Sequence, residues 1–114
     1  MCIVLAALVV ACTPEPPATE PVARGRQVYR SLGCANCHEP NLFGRRLGPP
    51  LDNIGTVAAT RRPDLSAEEY IRQSILDPGA YLVPGYQDSM PRDLGRDLPP
   101  TDLDGLVAYL LSLK

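Results

Sequence analysis

The sequence of 114 residues contains little of what most active sites and metal sites need. It has one histidine, His38, and four cysteines. A structural zinc site takes four Cys or His ligands, and no second C-x-x-C and no H-x-x-x-H occurs to complete one. No Val- or Ile-rich strand leads into the single C-x-x-C, so the βαβ setting of a thioredoxin-like motif is missing. No activated nucleophile, carboxylate pair or phosphate-binding loop stands out. We therefore expect neither an enzyme nor a nucleic-acid-binding protein.

Aromatic residues are also scarce, with no Trp and one Phe, whereas there are thirteen prolines and nine glycines. Such a composition indicates few helices joined by long ordered loops. At this length the chain has room for one core, which is marginal on apolar burial alone. A large apolar cofactor would provide the buried apolar surface that the missing aromatic side chains do not.

The segment Cys34-Ala35-Asn36-Cys37-His38 is a C-x-x-C-H motif, the attachment signature of a c-type haem. Two thiols at this spacing each form a thioether with a haem vinyl group. The next side chain then lies under the iron, where its imidazole binds as the proximal ligand. The motif predicts one haem c, attached through Cys34 and Cys37 and ligated by His38. An isolated metal or redox motif is the alternative.

Met90 is the candidate for the second axial ligand, because the only other methionine, Met1, belongs to a leader segment. It stands between a loop rich in Gly, Pro and Tyr and the last helical pattern, which is not where a gap-filling core methionine is expected. Pro91 fixes φ beside it and suits a loop that holds a thioether against iron. The alternatives are an open or a weakly ligated iron.

The chain from residue 21 to 114 resembles the small class I cytochromes c, with one haem. The positions that carry the resemblance are Gly25, Tyr29, Cys34 to His38, Gly48-Pro49-Pro50-Leu51, Met90-Pro91, Leu106 and Tyr109. It implies an all-α cytochrome c fold, with three main helices and long loops wrapped around one covalently bound haem. It also implies that the first and last helices cross closely. The Pro49 carbonyl is expected to accept a hydrogen bond from the second ring nitrogen of His38, which would orient the ring.

A narrower likeness comes from residues 69–78, followed by Val83-Pro84-Gly85-Tyr86 and the Met-Pro pair. These segments are similar to cytochrome c domains fused to, or working beside, the copper-bearing subunit of haem–copper oxidases. The likeness implies a terminal oxidase as the electron acceptor.

Three helices are predicted within this domain. The first has Val22, Gly25, Tyr29 and Leu32 on one face and ends at Gly33. The second opens with the capping box Ser66-Ala67-Glu68-Glu69 and stops at Asp77-Pro78. The third follows Pro99-Pro100 and carries an apolar stripe from Leu103 to Leu111 that is assigned to the core, not to a membrane. Residues 51–57 are either a short turn or coil.

The N-terminal residues predict a lipid anchor. Within residues 1–11, the predicted signal peptide, Ile3 to Ala11 form a nine-residue apolar run that has the length of a signal-peptide hydrophobic region, and Val9-Val10-Ala11-Cys12 resembles the cleavage site of a bacterial lipoprotein. We expect cleavage and acylation at Cys12, a proline-rich tether over residues 12–20, and the cytochrome c domain over residues 21–114. The alternatives are a plain secretory signal or a Cys2–Cys12 disulfide. The expected location is the outer, periplasmic face of a bacterial cytoplasmic membrane.

The two halves of the domain carry opposite net charges. Residues 21–62 hold seven basic and two acidic side chains, a net +5, whereas residues 63–114 hold four basic and nine acidic ones, a net −5. Such a separation orients a protein toward a charged partner, unless it is ordinary solvated surface. Arg45 and Arg46 are candidate partners for the haem propionates. Tyr81 and Tyr86 are candidate hydrogen-bond donors to a propionate or to the sulfur of Met90.

Ligation by His38 and Met90 leaves no vacant position on the iron, and methionine raises the reduction potential relative to a second imidazole. We therefore expect a monomeric carrier of single electrons between respiratory-chain components. The donor would be a quinol-oxidising complex or a dehydrogenase, and the acceptor a terminal oxidase or reductase. The alternatives are a fixed haem subunit of a larger oxidase or dehydrogenase complex, and a haem-based sensor if Met90 is not a firm ligand.

Overall fold

The computed structural model describes residues 13–114, and over that range the chain is helical with no strand. Its helices are α1 (Pro21–Ser31), α2 (Ala35–His38), α3 (Ile54–Arg61), α4 (Ala67–Leu76) and α5 (Pro100–Ser112). The all-α prediction is confirmed. The predicted signal peptide and the predicted lipidation site, Cys12, lie outside the described residues.

Helix α1 begins where its sequence satisfies the free amides of a helix start. The Glu20 carboxylate accepts hydrogen bonds from the backbone N–H of Val22 and Ala23, and Pro21 occupies the first turn, where an N–H is not needed. The helix ends at Ser31, and Gly33 follows with φ of 70°, a conformation that glycine adopts without strain. This exit leads the chain directly into the C-x-x-C-H motif.

Helices α1 and α5 cross at two glycines. A Cβ atom added to Gly25 would lie 1.9 Å from the carbonyl oxygen of Gly105, so only glycine allows this approach. Beside the crossing the rings of Tyr29 and Tyr109 pack edge to face, with centroids 5.4 Å apart. Leu106, 1 % exposed, packs in the core at the same level. The close crossing of the first and last helices is therefore present.

Helix α4 has the predicted capping box. The backbone N–H of Glu69 donates to the Ser66 hydroxyl at 3.2 Å, and the Ser66 N–H donates to the Glu69 carboxylate at 2.8 Å. The helix buries Tyr70, Ile71 and Ile75, and Asp77 follows its last turn.

Two helices were not among the three predicted, and both are short. Helix α2 is a single turn within the C-x-x-C-H motif. Helix α3 overlaps the predicted turn or coil of residues 51–57 only from Ile54 onward and extends beyond it to Arg61, and its N-cap residue, Asn53, makes no side-chain capping bond. Tertiary contact fixes its start instead, because the Gly55 N–H donates to the Leu113 carbonyl at 2.7 Å and Lys114 Nζ donates to the Gly55 carbonyl at 3.2 Å.

Part of the proline-rich segment before α1 is bound to the helix. The Gln27 side chain accepts from the Ala18 N–H at 2.8 Å and donates to the Pro16 carbonyl at 3.1 Å, which holds the segment against α1. Within residues 13–114 no helix is both long and apolar enough to cross a membrane.

Candidate haem-binding site

An apolar cavity of about 330 Å³ lies between the C-terminal end of α1, the turn α2, helix α4 and the loop that follows α4. Its wall contains Cys34, Cys37, His38 and Met90, which stand up to 56 positions apart in the sequence. Leu32, Ile71, Ile75, Val83, Leu94 and Leu106 are among the apolar side chains that line it. The fold therefore brings two thiols, one imidazole and one thioether to one apolar space.

Helix α2 places the first three of these groups. The N–H groups of Cys37 and His38 both donate to the Cys34 carbonyl, at 3.2 Å and 3.0 Å, so the motif forms one tight turn. Both cysteines are free thiols, and both are half-buried. Burial raises the pKa of the Cys34 thiol above its ordinary value. A reactive C-x-x-C thiol has a lowered pKa instead, so this shift does not favour a thioredoxin-like role.

The orientation of His38 is fixed by the loop that follows it. Its Nδ1 lies 2.7 Å from the carbonyl oxygen of Pro49. A carbonyl only accepts, so Nδ1 carries the proton and Nε2 keeps its lone pair. A Cβ atom on Gly48 would lie 2.8 Å from the imidazole, so glycine at this position leaves room for the ring. The arrangement leaves Nε2 of a preset ring available to a metal.

Met90 is half-buried in an irregular segment on the same cavity. The segment is closed by an ion pair between Arg92 and Asp88, which bracket the methionine, and Arg92 also lies 4.0 Å from Asp77 at the end of α4. These two ion pairs hold the loop in place and do not involve the sulfur atom of Met90. Tyr86 lines the cavity as well, and Tyr81 does so while packing edge to face on Tyr70, with centroids 5.9 Å apart.

The structure does not place Arg45 or Arg46 in the cavity wall. Arg45 is exposed, and Arg46 is half-buried with its Nε hidden from solvent and without a hydrogen-bond partner among the described residues. Arg61, at the end of α3, lines the cavity instead and makes no ion pair within residues 13–114. Sequence reasoning missed Arg61 because it did not place α3. The sequence offered only a weak signal, because residues 54–61 include one glycine and four β-branched residues, which are poor helix formers.

The residues present fit a covalently attached haem and do not fit a multidentate metal site. The described part of the chain contains no group of three or more His, Cys, Asp or Glu side chains that would hold an ion. An apolar cavity that presents both thiols of a C-x-x-C-H motif and one correctly oriented imidazole is what a haem c requires.

Comparison with known families agrees with this geometry and defines the class of protein. The family model described as Cytochrome c matches residues 22–114, which is most of the chain. The chain belongs to the cytochrome c family, and membership implies a covalently bound haem c and haem-based electron transfer. No curated protein matches the sequence significantly.

Proposed function

We propose that this protein is a lipid-tethered, single-haem carrier that passes electrons one at a time between respiratory-chain components, with a terminal oxidase as the final acceptor. The observation that carries the proposal is the shared cavity of His38 and Met90. If His38 and Met90 both bound the iron, they would leave no position on it for a substrate, which favours electron transfer over catalysis.

Four residues are proposed to hold the haem, which when bound supplies a one-electron couple. Cys34 and Cys37 form the thioethers. His38 is the proximal ligand, kept in one tautomer by the Pro49 carbonyl at 2.7 Å. Met90 is the second axial ligand. A thioether ligand raises the reduction potential relative to imidazole, which suits delivery of electrons to an oxidase.

Arg61 is the basic side chain that we propose as the partner of a haem propionate. A propionate that is partly buried needs a charged hydrogen-bond donor, and an arginine without a carboxylate partner at the cavity wall supplies one. Tyr86 remains a proposed donor in the same cavity. Arg45 and Arg46 are less well placed for this role, since neither lines the cavity.

The proposed partners and location are supported by sequence alone. Residues 69–78 and 83–86 are similar to cytochrome c domains that work with the copper-bearing subunit of haem–copper oxidases, which supports an oxidase as acceptor. The lipoprotein-like signal before Cys12 supports an anchor on the periplasmic face of the cytoplasmic membrane. A quinol-oxidising complex or a dehydrogenase would act as donor.

An optical spectrum in both oxidation states tests the proposed ligand set. The ferric protein should show the long-wavelength charge-transfer band that is typical of methionine bound to ferric haem. Carbon monoxide added to the ferrous protein should cause no rapid spectral change, because Met90 occupies the sixth position. Absence of that band together with rapid binding of carbon monoxide would contradict the carrier function and favour a sensor.

A further inference from the structure

We propose that the loop formed by residues 41–47, here called the 41–47 loop, is the docking site for the redox partner. Its exposed tip, Leu42 and Phe43, would enter an apolar hollow on an acidic protein surface. The inference rests on the proposed carrier function and adds to it the surface and the kind of partner.

The tip of the loop is the most exposed apolar feature of the described chain. Leu42 is 101 % exposed and Phe43 is 87 % exposed, whereas Leu47, 65 % exposed at the other end of the loop, faces the cavity proposed for the haem. The remaining exposed large hydrophobic side chains, Leu76 and Leu82, are 44 % exposed. Large apolar side chains that are exposed next to each other mark an interaction surface more often than single, scattered ones do.

Hydrogen bonds fix the shape of the loop before any partner binds. The Asn41 side-chain oxygen accepts from the N–H groups of Phe43 and Arg45, at 2.9 Å and 3.0 Å. The Asn41 N–H donates to the Arg45 carbonyl at 2.8 Å, and Gly44 turns the chain with φ of 72°. The tip is therefore presented by a closed turn, and a preformed surface loses less entropy on docking.

The base of the loop is attached to the proposed haem site. The N–H groups of Leu47 and Gly48 both donate to the Cys37 carbonyl, at 3.0 Å and 2.8 Å, and Leu47 also lines the cavity. A partner seated on the loop would thus contact the chain within one hydrogen bond of a cysteine that is proposed to bear the haem. This position suits electron transfer, and it favours a protein partner because a lipid surface accepts no electron.

Charge indicates the chemistry of that partner. Arg45 and Arg46 follow the apolar tip, and no acidic residue stands between Asn41 and Leu51. Aromatic and arginine side chains are also the ones that dominate binding at protein interfaces. The complementary surface is an apolar hollow bordered by carboxylates.

The test compares variants of the haem-loaded, full-length protein as electron donors to membranes of the organism that makes it. Leu42→Ser/Phe43→Ser should slow oxidation of the prereduced protein by about tenfold, because the tip is a binding hot spot. The reduction potential and the oxidation rate with ferricyanide should stay unchanged, since the cavity is untouched. Leu42→Met/Phe43→Leu, which keeps the tip apolar, should restore the rate. Leu76→Ser removes an exposed leucine elsewhere and should have no effect.

Two further measurements separate the possible outcomes. The rate should fall as ionic strength rises, and Arg45→Gln should weaken that dependence. An unchanged rate for the serine variant would overturn the docking site while leaving the carrier function intact. Wild-type protein that the membranes neither reduce nor oxidise would overturn both. Loss of binding to protein-free anionic vesicles, with an unchanged rate toward detergent-solubilised membrane complexes, would identify the loop as a lipid contact and overturn the proposal.

Discussion

At the scale of single residues, the site is defined by side chains whose positions are set by their neighbours. His38 is oriented by the Pro49 carbonyl, and Gly48 provides the space for its ring. Met90 stands on a loop that the Arg92–Asp88 ion pair closes. The chemistry proposed for the iron therefore depends on backbone carbonyls and an ion pair as much as on the ligands themselves.

Replacement of Met90 by alanine should leave the haem attached and open the sixth position of the iron. We expect a lower reduction potential, by a substantial part of the about 0.8 V range that axial ligands control, and new binding of carbon monoxide and azide. Potentiometry and optical titration measure both effects. Leu94→Ala, a change elsewhere in the cavity wall, is the control. A variant with wild-type potential and wild-type exclusion of ligands would remove Met90 from the site.

Replacement of Arg61 by glutamine should lower the reduction potential, because a positive charge near the haem disfavours the ferric state. We expect a fall of about 20–60 mV, since 59 mV corresponds to a tenfold change for a one-electron couple. The potential should also become more dependent on pH near neutrality, as a propionate without its arginine binds a proton more readily. Arg45→Gln is the matched control. Equal effects of the two variants would show a general charge effect and contradict the specific pairing.

At the scale of the elements, the helices are held by their caps and by one close crossing. The Glu20 carboxylate caps α1, and the Ser66 hydroxyl together with the Glu69 carboxylate caps α4, in each case by accepting backbone N–H groups. The crossing of α1 and α5 instead depends on the absence of side chains at Gly25 and Gly105.

An alanine at Gly25 should destabilise the fold although alanine favours helices. Its Cβ would lie 1.9 Å from the Gly105 carbonyl oxygen and 2.6 Å from the Tyr109 Cβ, so the two helices must move apart. We expect the free energy of unfolding to fall by about 2 kcal/mol or more, as for other overpacked sites. Gly105→Ala should cost less, because its nearest contact would be the Pro21 carbonyl oxygen at 3.0 Å. Chemical denaturation measures both, and the reverse order would contradict the account.

Acid should weaken both helix caps. Backbone N–H groups lower the pKa of Glu20 and of Glu69 below the ordinary value of 4.5 in the folded state. This stabilisation is present above that ordinary value and is lost as pH falls through the folded-state pKa. We expect the melting temperature to drop below about pH 4.5, the ordinary value. The double variant Glu20→Gln/Glu69→Gln should show a smaller drop in melting temperature. Some acid sensitivity should remain, because the hydrogen bond from Arg62 also lowers the pKa of Asp64. A variant with the same acid sensitivity as wild type would contradict this cause.

At the scale of the whole molecule, some of the opposite charges of residues 21–62 and 63–114 neutralise each other in ion pairs within the fold. Arg24 of the basic half pairs with Asp102 of the acidic half across the α1–α5 crossing, and Arg62 pairs with Asp64 at 2.8 Å. Two exposed basic side chains of the basic half, Arg26 on α1 and Arg45 on the 41–47 loop, make no ion pair among the described residues and remain available to a partner.

Attachment to the membrane should depend on Cys12. If this residue is acylated, the protein should fractionate with membranes, because each buried CH₂ of an acyl chain contributes about 0.8 kcal/mol. Cys12→Ser should release the protein or block its processing. Cys2→Ser is the control, since it should have no effect on an acylated protein, whereas a Cys2–Cys12 disulfide would be lost in both variants. Wild-type protein found wholly in the soluble fraction would contradict the anchor and leave the carrier function standing.

The sequence by itself determined the parts of this protein whose chemistry is local. The spacing of Cys34, Cys37 and His38 is the spacing that covalent haem attachment needs. Helix α4 follows from its capping box, and α1 and α5 follow from apolar stripes that act within one helix. Even the candidate Met90 followed from there being no competing residue in the domain.

Only the tertiary structure decided the features that depend on partners far along the chain. The start of helix α3 is fixed by a hydrogen bond from the Gly55 N–H to the distant Leu113 carbonyl. Because this contact lies outside the helix, the sequence of the helix alone carried too weak a pattern to predict it. Arg61 could not be assigned to the cavity until that helix was placed. The exposure of Leu42 and Phe43 likewise appears only in the folded chain, because burial is a property of what surrounds a side chain and not of the side chain itself.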